Sequence, residues 1–295
     1  MSIIKVSVII PTYKRAEMLP RAINSVLEQS YKNIEVVVVD DNNPDTEWRK
    51  ITEKLMKPYE ADSRVQYIKH LKNLNGAVAR NTGIRYARGE IVTFLDDDDL
   101  YDKEKVAKQV EYLLKHSYKR AVYCGWNRNG VCCSRLEGDL SYYILSGDQI
   151  IYTNAIMMWK NNAVQCGGWD ETFMRHQEAA FLLRYFYSGN RIGTVPECLV
   201  EFDTSDRSNV ANPVMNEKYM DHYLITYNKC IKKCENEKRG SEKRIYTHRY
   251  RGVTLNYLKA KQYKNAMRVY WKWMKRYPIA MPISFISYFY ERIMK

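Results

Sequence analysis

The first half of the chain alternates between continuous apolar segments of strand length and segments with helical periodicity. Because the apolar segments show little apolar–polar alternation, the strands must be covered on both faces, as in a parallel sheet flanked by helices. We therefore expect an α/β fold with a mostly parallel sheet. The predicted strands are residues 6–10, 34–39, 65–68, 90–95 and 121–126, and the predicted helices are residues 16–29, 47–56, 77–87 and 103–115.

The second half of the chain has a less regular pattern. Strands are expected at residues 155–160 and 199–202, and residues 181–187 lie in a helix that ends at Gly189. From residue 210 to the C-terminus the pattern is mainly helical, with no sustained strand alternation. A helical C-terminal region should therefore follow the sheet.

Four consecutive aspartates, residues 96–99, directly follow the predicted strand at residues 90–95. Neighbouring like charges repel each other by about 1 kcal/mol at about 4 Å even in water, and a bound cation would relieve this repulsion. Carboxylate oxygens favour magnesium or manganese over zinc. The run predicts a metal site, and an acidic, solvated loop that caps the next helix remains the alternative.

Polar residues also follow two other predicted strands, where ligands of parallel sheets bind. Asp41 could accept a hydrogen bond from a nucleotide base or a hydroxyl, although Asp-Asn-Asn-Pro at residues 41–44 equally favours a turn. Tyr13 either stacks on a base or closes the first loop. Residues 75–83 join a turn to a helix start that could face phosphates, and Arg80 could instead bridge to an acidic loop.

The cysteines and the N-terminus bear on the cellular location. The seven cysteines include no Cys-x-x-Cys pair, and no signal peptide precedes them. The apolar run at residues 3–10 is too short for a membrane span. We expect a reduced, cytoplasmic protein without structural zinc.

The positive charge is concentrated in the basic C-terminal segment, residues 241–295. It holds 13 Lys and Arg against two Glu, a balance of +11 out of the total of +13, so the first 240 residues carry only +2. Aromatic residues accompany these cations at residues 263–277, and the apolar run at residues 279–290 is too short to cross a bilayer. The segment suits a helix lying on an anionic membrane, or two helices that pack on the rest of the chain with solvated cations.

Four motifs, taken in order, resemble those of glycosyltransferase family 2, inverting enzymes of the GT-A fold that use nucleotide sugars and usually a metal ion. The third and fourth motifs resemble the family's Gly-x-x-x-Ala-Arg-Asn-x-Gly and Asp-x-Asp elements, although residues 76–83 have one residue fewer between the first Gly and Ala-Arg-Asn. The resemblance continues through Gly-Gly-Trp-Asp and the helix that follows, and it fades beyond about residue 205. The motifs are residues 8–13, 34–41, 76–83 and 94–99, followed by residues 166–173 and 176–184.

The resemblance implies a role for individual residues. Asp98, with Asp96, would hold Mn²⁺ or Mg²⁺, while Asp99 receives no role. Glu178, six residues before Arg184, would be the catalytic base, although the family more often has Asp there. The residues implied in donor binding are Pro11, Thr12, Tyr13, Asp41 at the base, Asn75, Arg80, Asp96, and Asp97 at the ribose.

The implied activity is metal-assisted transfer of a sugar from a nucleotide sugar, expected to be a uridine diphosphate sugar, to a hydroxyl of a saccharide or lipid-linked acceptor in cell-surface polysaccharide synthesis. A GT-A catalytic domain would span residues 1–210, with a nucleotide-sugar half at 1–100 and an acceptor half at 101–210. Residues 211–295 would bind an anionic membrane surface, peripherally at the inner face of the plasma membrane.

Two other function classes fit parts of the sequence. A nucleotidyltransferase could share the sheet and the metal carboxylates, but the chain lacks a glycine-rich, lysine-containing phosphate loop. A non-enzymatic protein could bind nucleic acid through the basic C-terminal segment, which has no zinc-finger or RNA-recognition signature. That class leaves the four aspartates unexplained, so we expect no nucleic-acid partner.

Overall fold

The computed structural model describes residues 4–116, 118–205 and 212–293. The chain divides into two compact units. The first comprises Met1–Asp139 and Ile151–Arg207, and the second comprises Leu140–Ile150 and Ser208–Lys295. The predicted domain boundary at residue 210 lies outside the described residues.

A mixed sheet forms the centre of the first unit. Its strand order is β3-β2-β1-β4-β8-β6-β9-β5, with β7 paired to β6. Strands β1 to β4, β6 and β9 run in one direction, whereas β8 and β5 run antiparallel to their neighbours. The predicted mostly parallel sheet is thus confirmed. The strands are β1 (Val6–Thr12), β2 (Ile34–Asp40), β3 (Val65–Lys69), β4 (Ile91–Phe94), β5 (Leu100–Tyr101), β6 (Ala121–Asn127), β7 (Val131–Cys132), β8 (Ile156–Trp159) and β9 (Ile192–Glu201).

Helices connect these strands and cover the sheet. Helix α3 packs so closely on β1 that a Cβ atom added to Gly83 would lie 2.2 Å from the side chain of Ile9. This glycine therefore allows the helix to approach the strand. The helices of this unit are α1 (Leu19–Leu27), α2 (Glu47–Met56), α3 (Gly76–Tyr86), α4 (Lys105–Lys115), α6 (Lys160–Gln165) and α7 (Gln177–Tyr187).

Helix α4 is joined to the sheet by a buried lysine. Lys105 is fully buried, and its ammonium group donates hydrogen bonds to Gln109 (2.7 Å) and Thr93 (3.1 Å). Burial lowers the pKa of Lys105 to about 8. Because Thr93 lies in β4, the lysine ties α4 to the strand that leads into the four aspartates.

The predicted elements of residues 6–126 are present, with ends that differ by at most three residues. Strand β9 begins at Ile192, earlier than the predicted residue 199, because Gly193 and Pro196 interrupt its apolar pattern without ending the strand. Helices α5 and α6 were not predicted, since each contains only six residues.

The second unit is helical, as predicted for the C-terminal region. Trp273 lies in its interior and stacks on Tyr246 and Tyr250, with ring centroids 4.8 and 4.2 Å away. No helix in the described part of the chain combines the length and apolar character needed to cross a bilayer. The helices are α5 (Ser141–Ser146), α8 (Pro213–Thr226), α9 (Asn228–Glu237), α10 (Ser241–Lys259), α11 (Tyr263–Arg276) and α12 (Ala280–Ile293).

Candidate active site

The aspartate turn, residues 96–99, follows β4 and closes with a hydrogen bond from the backbone N–H of Asp99 to the carbonyl of Asp96 (3.2 Å). The buried Asn154 fixes both ends of this turn. Its side-chain oxygen accepts from the N–H of Asp96 (3.0 Å), and its amide donates to the Asp99 carboxylate. The N–H of Asp203 also donates to Asp99 (2.8 Å). Asp99 therefore holds the turn in place.

The carboxylates of Asp97 and Asp98 lie beside the end of β1 and the loop that follows it. The Thr12 hydroxyl donates to Asp97 (2.7 Å). The guanidinium of Arg15 contacts the Asp98 carboxylate and lies 3.8 Å from that of Asp97. The β1 end thus supplies one hydroxyl and one cation to two neighbouring carboxylates.

Burial and mutual repulsion make the charged forms of the carboxylates in the aspartate turn costly. Burial is the main cause that raises the pKa of Asp97 to about 7 and that of Asp99 to about 8, and repulsion from neighbouring carboxylates adds to it. Burial and the charge of Asp96 also raise the pKa of Asp98, against the lowering effect of Arg15. A cation near these groups would therefore stabilise their charged forms.

Arg80 connects the aspartate turn to α7. One guanidinium nitrogen donates to Asp96 (2.5 Å), and the other donates to Gln177 (2.9 Å). The guanidinium also lies over the ring of Trp169, 4.9 Å from its centroid. Of the two alternatives that the sequence offered for this region, the structure thus shows the bridge from Arg80 to an acidic loop.

The turn before α7 is built around Trp169. Its ring stacks on Phe181 with centroids 4.4 Å apart, and its backbone N–H donates to Asn81 (2.8 Å). The preceding Gly168 has a φ of +65°, and a Cβ added there would lie 2.6 Å from the side-chain oxygen of Asn81. The Gly-Gly-Trp sequence therefore fixes how α7 begins beside α3.

Glu178 is the second residue of α7, directly after Gln177. Its side chain is partly buried, and burial raises its pKa, with Arg80 lowering it and Asp96 raising it to smaller extents. Within the part of the chain that the structure describes, no side chain hydrogen-bonds this carboxylate. A carboxylate with a raised pKa and free lone pairs is suited to accept a proton.

Asp41 lies at the end of β2 in a different environment. One carboxylate oxygen accepts from His70 (2.8 Å) and from the N–H of Leu74 (2.9 Å), and the other accepts from the amide of Asn73 (2.8 Å) and the N–H of Asn75 (2.9 Å). A carboxylate has about four acceptor positions, and these bonds fill them. Contact with a nucleotide base therefore requires that one donor be released.

Three further residues, Asn75, Pro11 and Tyr13, were predicted to bind the nucleotide sugar. Asn75 has a φ of 103° and caps α3, since its side chain accepts from the N–H groups of Ala77 (2.9 Å) and Val78 (3.1 Å). Pro11 lies within β1 opposite Val39. Tyr13 is 40% exposed and could contact a ligand or solvent.

The predicted site residues thus form two groups. Thr12, Asp96, Asp97, Asp98 and Arg80 belong to one network, and Glu178 follows the residue that Arg80 contacts. Asp41 and Asn75 belong to a second network. The sequence did not single out Arg15, Gln177 and Asn154. Arg15 had a signal, its position just after the first motif, whereas Asn154 had none.

The chain matches the model of a known protein family. The model described as Glycosyl transferase family 2 matches residues 7–164, more than half of the chain. The putative teichuronic acid biosynthesis glycosyltransferase TuaG of Bacillus subtilis is 31% identical over 163 residues, 55% of this chain and 59% of that protein. The chain spans less than two thirds of the length of such curated relatives.

Two solved structures share the fold. TarS 1-349 of S. aureus in complex with UDP-GlcNAc has a TM-score of 0.60 and 18% identity, covering 90% of each chain. The mannosyltransferase PcManGT of Pyrobaculum calidifontis, in complex with GDP-Man and Mn²⁺, has a TM-score of 0.63 and 19% identity, covering 95% of this chain and 86% of that one. The expected GT-A fold is confirmed by these likenesses.

Proposed function

Because this chain belongs to glycosyltransferase family 2, we propose that it transfers a sugar from a uridine diphosphate sugar to a hydroxyl of a saccharide or lipid-linked acceptor, with inversion at the anomeric carbon. The observation that carries this proposal is the Arg80 bridge. It joins Asp96 in the aspartate turn to Gln177, which precedes Glu178. The bridge therefore connects the aspartate turn, proposed to face the departing diphosphate, with the start of α7, which carries the proposed general base Glu178.

Glu178 acts as the general base. Its raised pKa supports this role, as does the absence of any side chain among the described residues that hydrogen-bonds its carboxylate. As the acceptor oxygen bonds to the anomeric carbon and the bond to the diphosphate breaks, Glu178 takes the hydroxyl proton. Direct attack inverts the configuration and forms no covalent enzyme intermediate. The transition state has oxocarbenium character, as in glycoside hydrolysis.

Thr12, Asp97 and Arg80 orient the donor. Asp97 accepts from the ribose, and Thr12 holds the Asp97 carboxylate in position through its hydrogen bond. Pro11, Tyr13 and Asn75 border the nucleotide. Asp41 binds the base once one of its present hydrogen-bond donors is released.

Asp98 and Asp96 would hold a divalent cation, Mn²⁺ or Mg²⁺. Their oxygen-only chemistry fits these ions, and the contact of Arg15 with Asp98 indicates that positive charge is favourable there. In the described residues no three His, Cys, Asp or Glu side chains form a metal-binding group, so the other ligands would be phosphate and water. When bound, the ion neutralises charge that develops on the departing diphosphate.

The relative TuaG supports a role in bacterial cell-surface polysaccharide synthesis, since its name refers to teichuronic acid biosynthesis. A lipid-linked acceptor would be met at the inner face of the plasma membrane. We propose that the protein works there, peripherally, with the basic C-terminal segment towards the anionic lipid.

Calorimetric titration of uridine diphosphate and guanosine diphosphate, with manganese and then with EDTA, tests the site. We expect manganese-dependent binding of uridine diphosphate and little binding after chelation. Binding of only guanosine diphosphate would overturn the choice of donor. Binding of neither nucleotide would contradict the transferase site. Incubation with a panel of uridine diphosphate sugars then tests turnover by release of the diphosphate.

A further inference from the structure

Helix α12 presents an apolar face to solvent. Its buried side chains, Met281 and Ser284, lie on the opposite side of the helix. A helix at the surface of a soluble protein normally exposes polar residues instead, so this face indicates a partner. The exposed face consists of Ile279, just before the helix, Ile283, Ile286, Phe289 and Tyr290, each more than half exposed.

Helix α11 exposes two parallel rows of side chains. Tyr263, Met267 and Trp271 recur at intervals of four residues and form an apolar row. A second row at the same spacing is cationic. It consists of Lys264, Arg268, Lys272 and Arg276.

Aromatic contacts connect the exposed faces of the two helices. Trp271 contacts Tyr270 with ring centroids 5.8 Å apart, and Tyr270 packs edge-on against Phe285 of α12 at 5.5 Å. Phe285 precedes the exposed Ile286. The apolar row of α11 thus continues towards the apolar face of α12. We call the exposed apolar residues of both helices the docking surface, which consists of Tyr263, Met267, Trp271, Ile279, Ile283, Ile286, Phe289 and Tyr290.

The charge around the docking surface is predominantly positive. Residues 243–290 contain 11 Lys and Arg and no Asp or Glu. Glu217 pairs with Arg268 (2.5 Å), and Glu242 pairs with Arg276 (3.1 Å). Lys264, Lys272 and Lys275, in contrast, form no ion pair with any residue that the structure describes. At least three exposed cations of α11 therefore remain available to an anionic partner.

We propose that the docking surface binds the headgroup layer of an anionic phospholipid membrane. The proposal deepens, and rests on, the proposed transfer to a lipid-linked acceptor. Apolar side chains enter the acyl boundary while the lysines meet phosphates, which is the arrangement of interfacial amphipathic helices. A nucleic-acid backbone would not use the isoleucine face, and a second copy of this surface would bring like charges together.

The first experiment measures flotation of the full chain with vesicles of phosphatidylglycerol and phosphatidylcholine, and with vesicles of phosphatidylcholine alone. We expect binding to the anionic vesicles and at least about tenfold weaker binding to the neutral ones. The variant Ile283→Ser/Ile286→Ser/Phe289→Ser should lose binding by at least about tenfold. The matched control Leu114→Ser/Val131→Ser/Val164→Ser changes three exposed apolar residues of the first unit and should bind like the parent.

A charge series tests the cations separately. Lys264→Gln, Lys272→Gln and Lys275→Gln should each reduce binding to anionic vesicles by up to about fivefold. Lys50→Gln, Lys54→Gln and Lys57→Gln, in and just after α2, serve as controls. Tryptophan fluorescence reports insertion directly. On vesicle binding the emission of the parent chain should shift to shorter wavelength, and the variant Trp271→Phe should lack the part of this shift that comes from Trp271.

Several outcomes would overturn the membrane proposal. They are equal binding to neutral and anionic vesicles, equal loss in the control variants, binding to duplex DNA or RNA in preference to vesicles at moderate salt, or a dimer that the Ile283→Ser/Ile286→Ser/Phe289→Ser variant dissociates. The nucleotide titration separates this inference from the proposed function. Vesicle binding without nucleotide binding would contradict only the transferase site, and the reverse would contradict only the docking surface.

Discussion

Two strand ends on either side of β1 hold their carboxylates in opposite ways. At the end of β2, Asp41 receives four hydrogen bonds, and the buried Asp40 pairs with Arg49 at 2.9 Å. At the end of β4, Asp97 receives one hydroxyl at 2.7 Å and has Arg15 at 3.8 Å, and burial raises its pKa to about 7.

The difference separates structural carboxylates from those suited to ligands. The donors around Asp41 offset its desolvation, so the carboxylate holds the loop of residues 70–75 in place. In the aspartate turn, burial and repulsion are only partly offset, so the charged forms of these carboxylates are costly and a bound cation would stabilise them. Functional sites are commonly less stable than the surrounding structure for this reason.

The largest effect is expected at Glu178, the other incompletely neutralised carboxylate. Glu178→Gln should lower kcat by about 10²–10⁴-fold, because the amide cannot accept the acceptor proton. Nucleotide affinity should stay close to that of the parent. Initial-rate assays and calorimetry measure both, with the exposed Glu111→Gln as a control. Retained turnover would remove Glu178 as the base.

A matched pair of substitutions tests the comparison itself. Asp41→Asn places an amide nitrogen against N–H donors, and it should lower the free energy of unfolding by about 2–4 kcal/mol. Asp98→Asn should leave stability within about 0.5 kcal/mol or raise it, while manganese-supported nucleotide binding weakens by at least about tenfold. Urea denaturation and calorimetry measure these changes. Equal destabilisation by the two substitutions would contradict the distinction.

The stability of the protein should depend on pH through Asp99 of the aspartate turn. Because the pKa of Asp99 rises from an ordinary value near 4 to about 8, the folded chain keeps a proton that the unfolded chain has lost within this window. Its contribution to the free energy of unfolding therefore falls as pH rises from about 4 to about 8.

The variant Asp99→Asn should show a flatter curve over that window. Relative to the parent, it should gain at least about 1.4 kcal/mol between pH 5 and pH 8, the energy of one pKa unit. Urea denaturation at a series of pH values measures this difference. Parallel curves for variant and parent would show that Asp99 does not titrate in this range.

The smallest effect is expected at Arg15, which occupies the place of a counter-ion beside Asp98. Arg15→Gln should cost about 0–1 kcal/mol of stability, as for other partly exposed ion pairs. Without this competing cation, manganese should bind the nucleotide-free protein up to about fivefold more tightly. Arg64→Gln, which breaks a distant pair with Asp62, provides the control. Weaker manganese binding would assign Arg15 to ligand binding instead.

The fold of the first unit was predictable because its strands are continuous and apolar and its longer helices show apolar periodicity. Two of these helices also begin with a side-chain cap, Thr46 for α2 and Asn75 for α3. The elements that were missed are short or interrupted, such as α6 and the first half of β9. Periodicity cannot identify six residues as a helix when tertiary packing stabilises them.

The candidate site could be recognised in the sequence where its residues are consecutive. The aspartate turn and the Arg80 motif are visible in sequence. A bridge from Arg80 to an acidic loop was one of two alternatives there, and the structure shows this bridge to Asp96. Asn154 and Gln177 could not be identified, since single polar residues acquire their role only from partners that the fold brings near. Nothing in the sequence indicated that hydrogen bonds fill the acceptor positions of the Asp41 carboxylate, because the donors come from a loop about 30 residues later.

The supports of Asp99 determine when the aspartate turn can form during folding. Asn154 and the N–H of Asp203 lie 55 and 104 residues further along the chain. Closing a loop of this length costs chain entropy before the contacts that it allows can compensate. Hydrogen bonds between residues far apart in the sequence therefore form late in folding. During synthesis, the aspartates emerge well before these partners, and their mutual repulsion opposes early closure of the turn. We therefore expect the complete aspartate turn to form only after the chain has been made through residue 203.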